Sequence, residues 1–163
     1  AAMTRSDNVA ANLLLPLIGG PPGIGAYART LGDASTRLDR METELNSAIP
    51  GDPRDTTTPR AMLGNLQALL LGDALAQGSR TRLEGWLRAN TTGDARLRAG
   101  LPKDWQAGDK TGSGANGTTN DVAILWPPGR KPVLVAAYLT GSKLDSENRD
   151  AVHAALARAL SHG

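Results

Sequence analysis

The hydrophobic period of this chain changes once, near Asn90, and that change fixes most of what it can become. Before Asn90 apolar residues recur at helical spacing; after it they run in short blocks separated by turn residues. Trp105–Ser113, Asp121–Trp126 and Val133–Thr140 read as three strands. Gly114-Ala115-Asn116-Gly117 and Pro127-Pro128-Gly129-Arg130 supply the turns between them. Links this short favour antiparallel hairpins. Val122–Leu125 and Val133–Ala137 are apolar at consecutive positions, so both strands should be covered on both faces. Asp145–Ser161 reads as a closing helix with Val152, Leu156 and Leu160 inward. One helix covers one face, and few other helices are on offer for the second, which points to a missing cover.

The helical part begins with Val9–Leu15, which Ser6 or Asp7 can cap and Pro16 should end. A loop at Gly19–Gly23 and a short helix through Ile24, Tyr27 and Ala28 follow. Residues 33–57 hold many charges and little helical periodicity. A loop this long inside a compact domain is uncommon and usually functional. Thr58-Pro59 then reads as N-cap and first helical residue, ahead of a stripe at Met62, Leu66, Leu69 and Leu70. A second helix should hold Leu83, Trp86 and Leu87. The expected class is α/β in the α+β sense. Residues 1–88 would form a helical part with a loop at about 37–55, and residues 89–163 three antiparallel strands with a terminal helix.

Composition removes several functions. With 18 Lys and Arg set among 16 Asp and Glu, the net charge is only +2, and there is no basic tract or aromatic platform for nucleic acid. There is no Cys, so disulfides, thiolate metal sites and Cys nucleophiles are excluded. No leader pattern is visible at Ala1 and no apolar run is long enough to span a bilayer, so no membrane partner is expected. His153 and His162 lie nine apart and would not share a helix face. They read as exposed helix histidines, and neither a metal nor a cofactor is expected.

Three constellations carry chemistry. Ser6-Asp7-Asn8 taken singly is what any N-cap looks like. Glu42 and Asn46 lie four apart, so one helical turn places them on one side. A carboxylate and an amide there can hold a water between them, the carboxylate taking its proton and the amide fixing its position. Asp55 can pair with Arg40 and close the neck of the long loop. Lys110-Thr111-Gly112-Ser113, at a strand end, combines a cation, two hydroxyls and close backbone access, which suits an anionic ligand. The Ser113 N–H can serve an oxyanion hole.

Together, in this order, the three resemble the class A serine β-lactamases. Ser6-Asp7-Asn8 and Lys110-Thr111-Gly112 match that family's Ser-Asp-Asn and Lys-Thr-Gly elements, and Glu42-x-x-Leu45-Asn46 matches its Ω-loop element. Asn8–Leu14, Pro50–Pro59 and the run from Gly93 through Trp105 are also similar, so the resemblance covers essentially the whole chain. It implies a β-lactamase/transpeptidase-like fold, incomplete here, in a periplasmic or secreted bacterial enzyme. By the resemblance, Ser6 relays a proton to the β-lactam nitrogen and Asn8 binds the antibiotic's side-chain amide. Glu42 activates the deacylating water that Asn46 holds. Lys110, Thr111, Gly112 and Ser113 bind the substrate carboxylate, and Arg96, or its neighbour Arg98, reaches the same region. Arg40, Asp55 and Asp7 support the site. Many family members have Pro after the glutamate. Here it is Thr43, and the resemblance implies a cis or strained Glu42–Thr43 bond. The Ser113 hydroxyl is associated in the family with cephalosporin or carbapenem turnover.

The chain departs from the pattern at the nucleophile. The family's acylated serine lies in a Ser-x-x-Lys element, and no serine here has Lys three residues on. Thr140-Gly141-Ser142-Lys143 has the spacing with Thr and reads as a turn. The expectation is that the nucleophile belongs to an N-terminal part outside this chain, a partner without which there is no turnover. Two rivals stand beside this reading. A penicillin-binding DD-peptidase would lack the deacylating glutamate. A binding or complementation half would hold β-lactam contacts without chemistry.

Overall fold

A computed structural model describes residues 1–162. The first helix, α1 (Ala2–Arg5), was not legible in the sequence, and Ser6 ends it with a left-handed φ of 52°. The cap of α2 (Asn8–Leu14) is therefore Asp7, whose Oδ1 accepts from Ala10 N at 2.8 Å. Pro16 then draws the chain into a 3-10 turn over Leu15–Ile18. After α3 (Pro21–Thr30) the chain runs without regular structure to Thr58, apart from a 3-10 turn at Glu44–Asn46. Thr58 caps α4 (Pro59–Leu66) as expected, accepting from Ala61 N at 3.1 Å, and α4 passes into a π turn at Gln67–Leu71. The remaining elements are α5 (Gln77–Arg88), a 3-10 turn at Leu97–Gly100, strands β1 (Gln106–Gly114), β2 (Thr118–Trp126) and β3 (Val133–Leu139), and α6 (Ser146–Ser161). No single helix among the described residues is long and apolar enough to cross a membrane.

The three strands form one antiparallel sheet in the order β1-β2-β3, with Lys110 opposite Val122 and Ser113 opposite Thr119. Alternation splits the core in two. Ala123, Leu125, Val135 and Ala137 face Leu97 and Ala157. Ile124, with Val122 and Leu134 beside it, faces Leu66, Leu70 and Leu87. The expectation of an uncovered second face was therefore wrong. The α4–π turn segment and α5 fold back over it, which helical periodicity cannot reveal because it gives a face but not its destination.

The inward face of α6 also differs from expectation. Val152, Leu156 and Leu160 are 44%, 40% and 42% exposed, while His153, Ala154 and Ala157 are buried. The 97–100 turn comes so close that a Cβ on Gly100 would stand 1.9 Å from Ala154 O, and only small residues fit there. His153 is consequently not a surface histidine. It is 2% exposed, with Nε2 2.9 Å from Thr119 O. Trp86, expected inward on α5, is 47% exposed.

Candidate functional site

Two opposite walls meet at a cleft of about 680 Å³. Lys110–Gly114 of β1 form one wall and Asn46, 48–52 and 54–57 of the long loop the other. Because β1 is an edge strand, its outer backbone is free to meet a ligand. The β1–β2 turn ties the walls together. Ala115 N donates to Asn46 O at 2.9 Å, and Asn116 Nδ2 donates to Ala48 O at 3.0 Å. A Cβ on Gly114 would lie 2.8 Å from Asn46 O, so glycine permits this approach.

Glu42 and Asn46 meet as their spacing predicts, with Asn46 Nδ2 donating to Glu42 Oε2 at 2.5 Å. The Glu42–Thr43 bond is cis, as expected. Sequence reasoning gave no role to Asn12, yet it grips Glu42 by both backbone groups. Its Nδ2 donates to Glu42 O at 2.8 Å, and its Oδ1 accepts from Glu42 N at 2.9 Å. The available signal was an amide amid the apolar residues of α2, which needs a partner when it turns inward.

The loop's neck closes on Asp55. Arg40 Nε lies 2.6 Å from Asp55 Oδ2, while Asp39 N and Arg40 N donate to Oδ1 at 2.7 and 2.9 Å. Burial works to raise the Asp55 carboxyl, but these hydrogen bonds and the Arg40 charge outweigh it and hold it below the ordinary value.

Lys110 Nζ donates to Ser6 Oγ at 2.9 Å, bringing residues 104 positions apart together. It also donates to Thr111 O at 2.7 Å. Burial lowers the ammonium pKa and Arg96 adds to the lowering, against Asp109 and Glu42. Asn8, the first residue of α2, is exposed two positions beyond Ser6. The structure separates the two arginines. Arg96 Nη2 donates to Ser113 Oγ at 2.7 Å, its Nη1 binds the carbonyls of Gly112 and Asn120, and its Nε pairs with Asp150 at 2.8 Å. Its reach into the cleft is thus through Ser113. Arg98 is turned away, onto Asp109 and Leu87 O.

On β2, opposite Thr111, lies a carboxyl the sequence did not single out. Asp121 is 0% exposed; its Oδ2 accepts from Leu97 N at 3.2 Å and its Oδ1 has no partner. Burial, and then the neighbouring Asp109, push it up to about 8. A carboxyl raised above its unfolded value of roughly 3.9 favours the fold in acid, and that contribution is lost progressively from about pH 4 until it is gone above about pH 8. Asp121→Asn, which mimics the protonated form, is expected to melt close to the parent at about pH 4 and several degrees higher at about pH 8, where the penalty on the parent is fully developed. Equal shifts at both pH values in thermal unfolding would contradict the assignment.

The site thus joins a strand that carries a lysine and two hydroxyls, a serine hydroxyl held by that lysine and a carboxylate–amide pair. The family model described as "Beta-lactamase enzyme family" matches residues 1–162. Beta-lactamase AST-1 of Nocardia asteroides is 55% identical over 160 residues, which are 98% of this chain and 52% of that protein. The carbapenem-hydrolyzing beta-lactamase KPC of Klebsiella oxytoca is 52% identical over 164 residues, 100% of this chain and 56% of that protein. An ancestral class A β-lactamase (GNCA) of known structure superposes with a TM-score of 0.98 at 60% identity, over 99% of this chain and 62% of that one. The chain spans about half the length of the curated relatives it matches.

Proposed function

The chain belongs to the beta-lactamase enzyme family, and from that premise we propose that it carries the deacylating and anion-binding side of a serine β-lactamase site. The nucleophile comes from a segment outside the chain, because no serine here has lysine three residues on. The observation that supports the reading is the junction of Asn46 with the β1–β2 turn: Asn46 lines the same cleft as Lys110, Thr111 and Ser113, and it holds the Glu42 carboxylate.

On this reading Lys110, Thr111 and Ser113 hold the substrate carboxylate, Lys110 as a charge and the others as hydroxyls. Asn8 binds the antibiotic's side-chain amide. As the ring opens, the Ser6 hydroxyl, its oxygen fixed by Lys110, relays a proton: it gives its own to the departing nitrogen and takes up the one released by the attacking serine. In deacylation Glu42 takes a proton from the water that Asn46 orients, and the water oxygen attacks the ester carbonyl. The serine–carbonyl bond breaks and the serine recovers a proton. The Ser113 N–H, on an edge strand, stabilises the oxyanion. The Ser113 hydroxyl and the similarity to a carbapenem-hydrolyzing enzyme support cephalosporins or carbapenems as substrates. A periplasmic or secreted location goes with this role. A DD-peptidase keeps its acyl-enzyme long-lived, and the Glu42–Asn46 pair argues against that alternative.

A nitrocefin assay tests the proposal. The chain by itself is expected to show no turnover, and the same chain joined to the segment bearing Ser-x-x-Lys is expected to turn over. Hydrolysis by the isolated chain, or none by the joined protein, would overturn it.

A further inference from the structure

The hydroxyls facing the anion subsite are not oriented alike. Lys110 donates to Ser6 Oγ and Arg96 donates to Ser113 Oγ, so both serines spend a lone pair on a cation and keep their own protons for a ligand. Thr111 Oγ1 instead lies 2.6 Å from Thr92 Oγ1. Thr92 stands behind it, outside the residues that line the cleft.

The direction of that hydrogen bond can be deduced. Asp109 is fully buried; its Oδ1 is engaged by Arg98 and its Oδ2 accepts from Asn90 Nδ2 at 2.6 Å. The amide is thereby fixed with Oδ1 toward Thr92, where it accepts from Thr92 N at 3.2 Å and Thr92 Oγ1 at 2.9 Å. Thr92 has one hydroxyl proton, and it goes to Asn90. Thr92 Oγ1 can then only accept, so Thr111 donates inward and shows the cleft its lone pairs. Gly93 holds the turn in place, since a Cβ there would sit 2.0 Å from Asp109 Oδ2.

We propose that Thr92 is a positioning residue that sets the polarity of the Thr111 hydroxyl, so that an anionic ligand is bound only after the two hydroxyls turn over together. An anion needs the Thr111 proton pointing outward. Thr111 must withdraw it from Thr92, and Thr92 must withdraw its own from Asn90 and offer it to Thr111. Asn90 Oδ1 keeps the Thr92 N–H throughout. The exchange forfeits one neutral hydrogen bond, so the empty site is held slightly against anions. The inference rests on the subsite read above as the carboxylate site.

Thr92→Val deletes the inward acceptor at nearly constant shape and leaves the Thr111 proton free. In the enzyme carrying this chain and its nucleophile, Thr92→Val and Thr92→Ala are expected to raise kcat/KM for a penicillin about 2- to 10-fold, the equivalent of one neutral hydrogen bond. Thr92→Ser should match the parent. The penicillin's methyl ester, which lacks the anion, should show no gain. Inorganic sulfate titrated into the same proteins should bind tighter by a similar factor without any turnover. That arm stands even if β-lactam hydrolysis does not. A merely structural Thr92 would give weaker binding in the Val and Ala variants. That result, an unchanged sulfate affinity, or an equal gain for the ester would overturn the proposal.

Discussion

Glu42→Gln in the complete enzyme is expected to acylate and then stall, with turnover lower by about 10²- to 10⁴-fold, the share of a positioned general base. The substitution is nearly isosteric, and Gln Oε1 can still accept from Asn46 Nδ2, which now donates to Glu42 Oε2 at 2.5 Å. The two backbone bonds to Asn12 do not involve the side chain and survive. What disappears is the proton acceptor, since a neutral amide cannot deprotonate the attacking water. Intact-protein mass spectrometry after brief mixing with a penicillin should show the adduct persisting for hours in the variant and vanishing in the parent. Turnover within about tenfold of the parent would remove Glu42 from the role of base.

Asp55→Ala is expected to open the loop that carries Glu42. The Asp55 side chain is 2% exposed and accepts from Asp39 N and from Arg40 through both N and Nε. Truncation leaves the Arg40 guanidinium and two N–H groups without their acceptor, at a cost of about 3–5 kcal/mol for a broken buried pair. At about 2–4 °C per kcal/mol, a loss shared by the whole fold would lower Tm by roughly 6–20 °C. A purely local loss would appear as faster hydrogen exchange over residues 39–47. Asp55 has a φ of 57°, which Asn tolerates better than Ala, so Asp55→Asn should fall between parent and Ala. The pH dependence follows from a carboxyl held below its ordinary value. Its contribution is intact above roughly pH 3.9 and is lost as pH falls toward its folded value. The parent's advantage over Asp55→Ala should therefore narrow below about pH 4. A difference independent of pH would show that the Arg40–Asp55 pair is not its source.

These predictions rest on elements of unequal legibility. Asp7, Thr58 and Asp145 all cap helices as short oxygen side chains before apolar runs should, because capping is a contact between neighbours in sequence. Glu42 with Asn46 was likewise readable, being a one-turn relation. The Arg40–Asp55 neck was readable only as opposite charges at the ends of a long loop. Asn12 was not, although it holds Glu42 as firmly as Asn46 does, because its partner lies 30 residues away. Thr92 was hidden for the same reason. Its meaning depends on a chain of hydrogen bonds that runs through Asn90 and Asp109 of β1 to Arg98.

By itself the sequence determined the switch from helical to strand period at Asn90, the hairpin order of β1–β3, the long loop, and the succession of three site elements that marks the family. Each is a property of spacing along the chain, set by backbone geometry and local hydrogen bonding. The tertiary structure decided which faces are buried: small Ala154 and Ala157 rather than Val152 and Leu156 on α6, a buried His153, and a second sheet face closed by α4 and α5. It also decided that Arg96 and not Arg98 serves Ser113, and that Thr111 meets Thr92. Such choices turn on close packing between residues remote in sequence. Hydrophobic pattern carries no record of them.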